Sequence, residues 1–239
     1  MNNLFVKNKH SLVFASLLKE NVIAGTSHSM LDFNIDLDGE ILERSFDKLF
    51  SEIAIVPKRI ISLSQSHSDK IFVFQKECLV KQKPCADAVI TDEKDIAIAI
   101  RVADCPSVFI YDKSKRVSAL VHSGWKGTRQ LIVVKTIQKL KKLFHSRERD
   151  IIAAIGPCIR KCCYEVGSEF EDIFNNIEKR QDKYFLDLAC EIKNQLYSAG
   201  IEKNNIFDSS ICSACSRYGF YSYRKQKTVS RNLSFMIMK

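Results

Sequence analysis

The segment IAIAIRVADCPSVFIYDKSKRVSALVH, residues 96–122, contains three apolar runs at residues 96–102, 107–111 and 117–122. Each run has the length and the β-branched content of a buried strand, and turn-forming residues separate the runs. Pro106 cannot donate a hydrogen bond to a strand ladder, so it is expected to end a strand or to form a bulge. The segment therefore predicts three strands and places Cys105 and His122 at strand ends, where ligands and substrates often bind.

Strand and helix patterns continue on both sides of this segment. Further strands are predicted at residues 59–63, 71–74, 88–90, 151–155 and 234–238. Helices are predicted at residues 41–55, at 128–144 with Thr128 as N-cap, and at 184–199 with Gly200 as stop signal. The elements follow no strict βαβ order, and no repeat or linker divides the chain. We therefore predict an α/β (mixed α+β) fold, a single compact domain over residues 1–239 with a mixed β-sheet flanked by helices.

The composition favours a soluble, cytoplasmic protein. No apolar run approaches the ~20 residues needed to span a bilayer, and the polar residues 1–10 lack the apolar core of a signal peptide. The nine cysteines are an odd number, so free thiols or metal ligands are favoured over a disulfide framework. The net charge of +9 comes from basic residues scattered among acidic ones. This pattern predicts no nucleic acid and no membrane as partner, but it suits an anionic small substrate such as phosphate.

Three residues are candidates for one metal site. Cys105 lies between two predicted strands, His122 ends a predicted strand before a glycine-flanked tryptophan, and His67 lies in a polar turn. Each of them alone also fits an ordinary structural role. Together, two imidazoles and a thiolate form a ligand set typical of zinc, and catalytic zinc sites keep a fourth position open for water. Their spacing matches no short zinc-finger motif, so three separate loops have to converge.

The remaining cysteines offer a second possible metal site. Cys158, Cys162 and Cys163 lie close together in sequence, and Cys212 and Cys215 form a Cys-x-x-Cys motif. Cysteine groups of this kind bind structural zinc or iron–sulfur clusters, although the spacing within the first group is irregular. Ordinary free thiols are the alternative.

A series of motifs accompanies the predicted metal ligands along the chain. In order, they are Gln65-x-His67, ADAVIT (86–91), ADCP (103–106), HSGWKG (122–127), IGPCI (155–159), YEVG (164–167), Asp187-Leu188, Cys212 and FYSYRK (220–225). This order resembles the successive signatures of the laccase-domain proteins, which are also described as polyphenol oxidase-like proteins and peptidoglycan editing factor. The resemblance covers about residues 60–239.

The resemblance implies a single α/β domain in which His67, Cys105 and His122 bind zinc. It also implies a purine nucleoside and phosphate as partners, because family members are described as phosphorolysing adenosine, inosine and methylthioadenosine and as deaminating adenosine. An older description of the family is copper-dependent phenol oxidation. Multicopper oxidases need about ten histidines, whereas this chain has 5, so zinc is expected rather than copper.

Further residues are candidates for catalysis or substrate binding. Cys105 and His122 are expected to take part in catalysis as well as in metal binding, and Asp104 is expected either to act as or orient a base or to hold the metal-binding loop. Phosphate binding is predicted for four basic side chains, each of which also fits an ordinary surface charge: Lys126, Arg224, Lys225 and Arg231. Tyr223 and Phe220 are expected to stack on the purine base or to pack within the protein.

One departure from the family keeps a first alternative open, and a second alternative is independent of it. The usual N-terminal Thr-Arg-x-Gly-Gly-Val-Ser segment is replaced here by GTSHSM, residues 25–30, which lacks the arginine. A non-enzymatic binding protein that has kept the fold would be consistent with this loss. The other alternative is a cysteine hydrolase, with Cys105 as nucleophile, His122 as base, and Asp104 or another polar group orienting the histidine.

Overall fold

The computed structural model describes residues 5–34, 36–76 and 82–239 of the chain. Within these ranges the strands form two six-stranded sheets and one three-stranded sheet. The first sheet contains, in spatial order, β1 (Phe5–Lys7), β2 (Ser11–Phe14), β3 (Val22–Ser27), β15 (Asn232–Met238), β7 (Ile96–Val102) and β4 (Arg59–Ser62). Its neighbouring strands are antiparallel except for the parallel pair β4 and β7.

The second sheet is also mixed. It contains, in spatial order, β14 (Ile206–Asp208), β10 (Ile151–Ile155), β8 (Ser107–Asp112), β9 (Val117–His122), β6 (Ala88–Thr91) and β5 (Ile71–Phe74). The two outer pairs are parallel, and the pairs between β10 and β6 are antiparallel. The small antiparallel sheet consists of β11 (Glu165–Val166), β13 (Lys183–Leu186) and β12 (Ile177–Arg180).

The helices of the described ranges are α1 (Ala15–Leu18), α2 (Gly39–Glu52), α3 (Trp125–Arg129), α4 (Ile132–Phe144), α5 (Leu188–Ser198) and α6 (Tyr223–Gln226). Of these, α2, α4 and α5 pack on the outer sides of the two large sheets, whereas Leu17 of α1 packs in the core between the sheets. The predicted α/β class with mixed sheets and flanking helices is confirmed. No helix in the described ranges is both long enough and apolar enough to cross a membrane.

Alternating side chains divide the core into layers. On β7, Ala97 and Ala99 pack with α2 residues such as Phe50, whereas Ile98 and Ile100 face the second sheet. This is the two-residue period of a strand whose two faces are both covered. The opposite face of the second sheet packs against α4 and α5. The order of layers is therefore α2, first sheet, second sheet, and then α4 with α5.

Within the described ranges, the chain runs twice from the first large sheet to the second. Residues 63–70 lead from β4 in the first sheet to β5 in the second, and residues 103–106 lead from β7 in the first to β8 in the second. The apolar runs at 96–102 and 107–111 are thus consecutive strands of different sheets. His67 lies on the first crossover and Cys105 on the second, which is how residues far apart in sequence approach each other.

Two predicted helices differ from the structure. The helix predicted at 128–144 is interrupted at Leu131, which adopts a left-handed backbone with φ of 60°. Thr128 does not act as N-cap, because its hydroxyl donates to the carbonyl oxygen of Ser123 at 3.1 Å within α3. The helix predicted at 184–199 begins only at Leu188, since the Asp187 carboxylate caps its first turn by accepting from the Cys190 backbone N–H.

The first three residues of that prediction belong to a strand instead. Residues 183–186, with two consecutive aromatic side chains, form β13 in the middle of the three-stranded sheet. The predicted helix at 41–55 exists as α2, shifted by about one turn, because Asp38 caps it at the N-terminus by accepting from the Glu40 backbone N–H. The other predicted strands lie within two residues of the observed bounds.

Candidate metal and substrate site

Three side chains from separate segments converge where the two crossovers meet the end of β9. His67 and Cys105 come from the crossovers, and His122 is the last residue of β9. One potential ligand atom from each residue lies within 4.8 Å of the others, and the Cys105 Sγ is 4.0 Å from the His67 Nε2. The two imidazole rings meet nearly edge to face, with centroids 4.9 Å apart. The sequence prediction that these residues form one group agrees with this geometry.

Backbone conformation helps to aim these side chains. His67 has φ of 58° and Asp104, directly before Cys105, has φ of 89°. Such left-handed conformations are unfavourable for residues other than glycine, and they persist only where surrounding contacts fix them. Here the fixing contacts come from two buried aspartates, Asp87 and Asp104.

Asp87 organises the histidine side of the group. This fully buried residue directly precedes β6, and its Oδ1 accepts hydrogen bonds from the His122 Nδ1 at 2.8 Å and from the His67 backbone N–H at 3.0 Å. Its Oδ2 accepts from the backbone N–H and the hydroxyl of Ser68, both at 2.7 Å. Burial raises the pKa of Asp87, but the hydrogen bonds from His122 and Ser68 outweigh this and hold the pKa below its usual value.

The Asp87 contact decides which nitrogen of His122 is available. Because the Nδ1 of His122 is engaged by the carboxylate, its Nε2 is left to face Cys105 and His67. A carboxylate behind a metal-binding imidazole fixes the ring orientation and the tautomer and raises the basicity of the other nitrogen. This arrangement is therefore suited to metal binding or to general-base chemistry.

Cys105 and His122 are paired electrostatically. Burial raises the pKa of Cys105, but the charge of His122 and hydrogen bonds with both histidines lower it to about 6. Burial lowers the pKa of His122, but the Cys105 thiolate and the Asp87 carboxylate raise it to about 9. The sulfur is thus available as a thiolate at neutral pH, which is the form that binds metals and attacks carbonyl carbons.

Gly124 allows the three side chains to approach so closely. A Cβ atom at this position would lie 3.0 Å from the Cys105 Sγ and 3.2 Å from the His67 Cδ2. Any other residue at position 124 would push these two side chains away from each other or from His122. The glycine of the HSGWKG motif is therefore required by the site itself rather than by a turn.

The Gly124→Ala variant is expected to bind metal at this site at least about tenfold more weakly, because even small ligand displacements disturb coordination. Equilibrium competition with a chromogenic zinc chelator measures the change. Gly39→Ala is the matched control, since a Cβ at Gly39, the first residue of α2, meets nothing within 4 Å. Equal affinities for Gly124→Ala and wild type would show that these three residues do not hold the ion.

Two cavities share the wall formed by His67, Ala103, Cys105 and Tyr223. The larger, of about 530 Å³, is also lined by Asn34, Asp36, Leu63, Ser64, Gln65, Arg101, His122 and Arg231. The smaller, of about 270 Å³, is lined in addition by Asp104, Trp125, Ile159, Tyr164, Leu188 and Arg224. A basic compartment and an aromatic compartment therefore lie on either side of the candidate metal ligands.

The Asp104 side chain does not point at the ligand group. Its Oδ1 accepts from the Ser213 hydroxyl at 2.7 Å and its Oδ2 accepts from the Arg224 backbone N–H at 2.8 Å. Both carboxylate oxygens are thus occupied by the segments at 209–216 and 222–226. Of the two roles expected for Asp104, holding the loop that carries Cys105 agrees better with these contacts than acting as a base.

The four predicted phosphate-binding residues are not brought together. Arg231 lines the larger cavity, whereas Arg224 lines the smaller one and donates from its Nη1 to the Glu165 carbonyl oxygen. Lys225 lies outside both of these cavities, and Lys126 is exposed with its ammonium over the Trp125 ring. Among the four, Arg231 alone faces the compartment that also contains His122.

Two residues that the structure places at the candidate site were not selected from the sequence. Asp87 lies within the ADAVIT motif, but nothing in its spacing indicates a contact with His122. Arg101 lies on β7, where the run of apolar neighbours predicts a core position. In the structure its side chain is 91% buried against the larger cavity, its Nε donates to the Phe33 carbonyl oxygen, and its Nη1 has no hydrogen-bond partner within the described ranges.

Known proteins resemble this chain over nearly its whole length. A family model described as multi-copper polyphenol oxidoreductase laccase matches residues 27–239. The chain is 38% identical over 246 aligned residues to the purine nucleoside phosphorylase of Clostridium acetobutylicum, with 99% of this chain and 100% of that protein covered. It is 27% identical over 205 residues to adenosine deaminase RL5 of an unknown prokaryotic organism, with 82% and 73% covered.

Solved structures share the fold. The crystal structure of YlmD from Geobacillus stearothermophilus matches this chain with a TM-score of 0.91 at 23% sequence identity, covering 99% of each chain. The overall fold of this chain is therefore one already seen by experiment.

Proposed function

Since the chain belongs to the multi-copper polyphenol oxidoreductase laccase family, we propose that it is a zinc-dependent purine nucleoside phosphorylase that also deaminates adenosine. The observation that carries this proposal is the position of His67, Cys105 and His122 between a basic and an aromatic cavity. A nucleoside and phosphate together need both kinds of compartment. The names of the phosphorylase and deaminase relatives support the same pair of reactions.

The donor set fits zinc. Two imidazole nitrogens and one thiolate leave a fourth tetrahedral position open, and Asp87 supports one imidazole from behind. Zinc bound there would supply Lewis-acid activation at the open position. Several copper ions would need many more histidines than the 5 in the chain, and His10 and His28 are used elsewhere, against Glu52 and Phe220 respectively.

The two cavities suit different parts of the substrates. Trp125, Tyr164 and Tyr223 offer aromatic surfaces for the purine base in the smaller cavity. Arg101 and Arg231 offer positive charge for phosphate in the larger cavity, where Asn34 and Asp36 can hydrogen-bond to ribose hydroxyls. The glycosidic carbon then lies near the shared wall, next to the metal ligands.

Both reactions can be written with this placement. In phosphorolysis, a phosphate oxygen forms a bond to the C1′ of the ribose as the bond from C1′ to the purine nitrogen breaks, and the purine takes up a proton. In deamination, water adds at the purine carbon that bears the amine, and ammonia leaves. Asp104 acts as a positioning residue for Cys105 in both, because its carboxylate is engaged by Ser213 and Arg224.

Arg101 lines the larger cavity with an Nη1 that is unpaired among the described residues, which supports a role in phosphate binding in this chain that lacks the usual N-terminal arginine. The Arg101→Met variant is expected to raise the KM for phosphate by about 10- to 100-fold, the effect of losing one or two charge-assisted hydrogen bonds. Adenosine deamination needs no phosphate, so its rate should fall much less. Steady-state kinetics with varied phosphate measures the difference.

Lys126→Met is the comparison variant, because Lys126 is exposed outside both cavities. An unchanged phosphate KM is expected for it. The opposite pattern, with Lys126→Met impaired and Arg101→Met normal, would move the phosphate site to the surface near Trp125.

Product analysis tests the function itself. The purified protein is incubated with inosine or adenosine, with and without phosphate, and with or without prior removal of metal by a chelator. Release of hypoxanthine together with ribose 1-phosphate, only when phosphate and metal are present, is the expected result. Release of ammonia from adenosine without phosphate is expected for the second activity. No turnover of any purine nucleoside by the metal-loaded protein would reject the proposal.

A cysteine hydrolase is a second candidate, and it has a specific observation in its favour. The Cys105 thiolate, His122 and Asp87 form the nucleophile, base and orienting carboxylate of a catalytic triad, with Asp87 in the role that the sequence offered to Asp104. Metal removal distinguishes the two functions. A hydrolase keeps its activity in chelator and loses it on alkylation of Cys105, whereas the phosphorylase loses it in chelator.

A further inference from the structure

A second group of thiols lies where two other loops meet. The sulfur atoms of Cys162, Cys163, Cys212 and Cys215 all lie within 4.8 Å of one another, and the Cys162 and Cys215 sulfurs are 3.7 Å apart. None of the four residues belongs to the group of His67, Cys105 and His122. Cys158, which the sequence groups with Cys162 and Cys163, is fully buried and is not part of the cluster.

The backbone holds the two loops together independently of the thiols. Cys158 and Cys212 form a parallel bridge, in which the Cys158 N–H donates to the Ile211 carbonyl at 3.2 Å and the Ser213 N–H donates to the Cys158 carbonyl at 3.0 Å. The Cys163 N–H donates to the Arg160 carbonyl at 2.8 Å. This hydrogen bond closes a turn that places Cys162 and Cys163 next to the loop with Cys212 and Cys215. The thiols are therefore set in place by the fold rather than by chance encounter of mobile side chains.

Cys212 is the buried member of the cluster. It shares a Cys-x-x-Cys turn with Cys215, and such a turn supplies two ligands of one ion in many structural zinc sites. The remaining surface is open, since Cys162 and Cys215 are exposed and an ion can reach the cluster from solvent.

We propose that Cys162, Cys163, Cys212 and Cys215 bind one zinc ion as a structural site. A tetrahedron with Zn–S distances of about 2.3 Å places its sulfurs about 3.8 Å apart, close to the separation already present between Cys162 and Cys215. Four protein ligands leave no open position, as in structural rather than catalytic zinc sites. A single ion is favoured over an iron–sulfur cluster, whose several metal atoms would hold the cysteine sulfurs farther apart than in this group.

One hydrogen bond connects the four-cysteine site to the loop that carries Cys105. Ser213, between the two cysteines of the Cys-x-x-Cys turn, donates its hydroxyl to Asp104 at 2.7 Å. A metal ion that fixes the turn therefore also fixes Ser213. Ser213 in turn holds Asp104, the residue directly before Cys105. The second ion would stabilise the fold around the substrate site without contacting substrate.

Metal content of the purified, reduced protein tests the proposal. Two zinc ions per chain are expected for wild type by mass spectrometry under non-denaturing conditions. The Cys215→Ser variant should retain one and should melt about 5 °C lower or more. Cys190→Ser is the matched control, because Cys190 is a half-buried free thiol on α5 outside the cluster, and it should retain both ions.

Cobalt substitution identifies the ligands if the serine variant folds poorly. Titration of metal-free wild-type protein with cobalt should give two steps, one of which has the intense thiolate-to-cobalt charge transfer of four sulfur ligands. A titration in which no step has that signature, or a folded Cys215→Ser variant that retains as much zinc as wild type, would overturn the proposal. So would a Cys162–Cys215 disulfide that persists in reductant. None of these readouts involves nucleosides, so the outcome is separate from that of the phosphorylase assay.

Discussion

Replacing His122 by alanine is expected to remove the metal from the site between the two cavities and to lower kcat/KM for inosine and adenosine by about a thousandfold or more. The ion supplies several kcal/mol of transition-state stabilisation, and each 1.36 kcal/mol corresponds to a factor of about ten in rate. Zinc analysis should show the loss of one equivalent per chain, and initial-rate measurements should show the loss of turnover.

The large loss of activity expected for His122→Ala follows from the position of His122 among the three candidate metal ligands. It is buried, it ends β9, and it is the one ligand held from behind by the Asp87 carboxylate. Removing it leaves two ligands and a buried carboxylate without its imidazole partner. The control is His145→Asn, because His145 is exposed after α4 and asparagine tolerates its left-handed φ of 56°. Full activity of His122→Ala would be incompatible with the proposed site.

Replacing Asp208 by asparagine is expected to lower the free energy of unfolding by about 3 kcal/mol. The Arg160 guanidinium donates to both carboxylate oxygens of Asp208, at 2.6 and 3.1 Å, and both side chains are largely buried. Losing one partner leaves the other charge buried without compensation, which is more costly than losing an exposed pair. Equilibrium unfolding in urea, with metal loading held constant, measures the change.

The exposed pair Lys58–Asp95 provides the control. Its ion pair spans 2.8 Å at the surface, so Asp95→Asn should cost less than about 1 kcal/mol. If Asp208→Asn were as stable as Asp95→Asn, the Arg160–Asp208 pair would not hold the loop at residues 156–164 in place.

The buried Arg160–Asp208 pair also makes the folding stability depend on pH. Burial raises the pKa of Asp208, but the hydrogen bonds and charge of Arg160 outweigh it and hold the pKa below the ordinary value of 3.8. A carboxylate with a depressed pKa stabilises the fold above its unfolded-state pKa and loses this contribution as the pH falls through the folded-state pKa. Wild type should therefore lose more stability below about pH 4 than Asp208→Asn does.

The sequence was sufficient for the central strands and for selecting the three side chains that converge as a candidate metal group. Apolar runs of strand length predicted β7, β8, β9 and β10, because buried strands in covered sheets need continuous apolar side chains. It could not show that β7 and β8 belong to different sheets, since a short polar connection serves a turn and a crossover equally well. That choice depends on the pairing of β7 with β15, which lies more than a hundred residues away.

The prediction of the candidate site from the sequence was incomplete for a similar reason. His67, Cys105 and His122 could be selected because their chemistry is distinctive, but Asp87 and Arg101 act through contacts that only the assembled sheets create. Basic residues in a motif, such as Lys126, looked like phosphate ligands because sequence shows charge and not the direction of a side chain. Arg101 looked like a core position because its strand neighbours are apolar.

The two crossovers would give a metal ion bound by His67, Cys105 and His122 a thermodynamic role as well. His67 and Cys105 lie on the connections that run from the first sheet to the second, and His122 ends a strand of the second. An ion bound by all three residues would therefore cross-link the two sheets reversibly, and this cross-link would exist only in the folded chain. By mass action, free zinc at a thousand times its dissociation constant adds about 4 kcal/mol to folding stability. Zinc supply in the cell would then set how long the protein survives, as well as how fast it works.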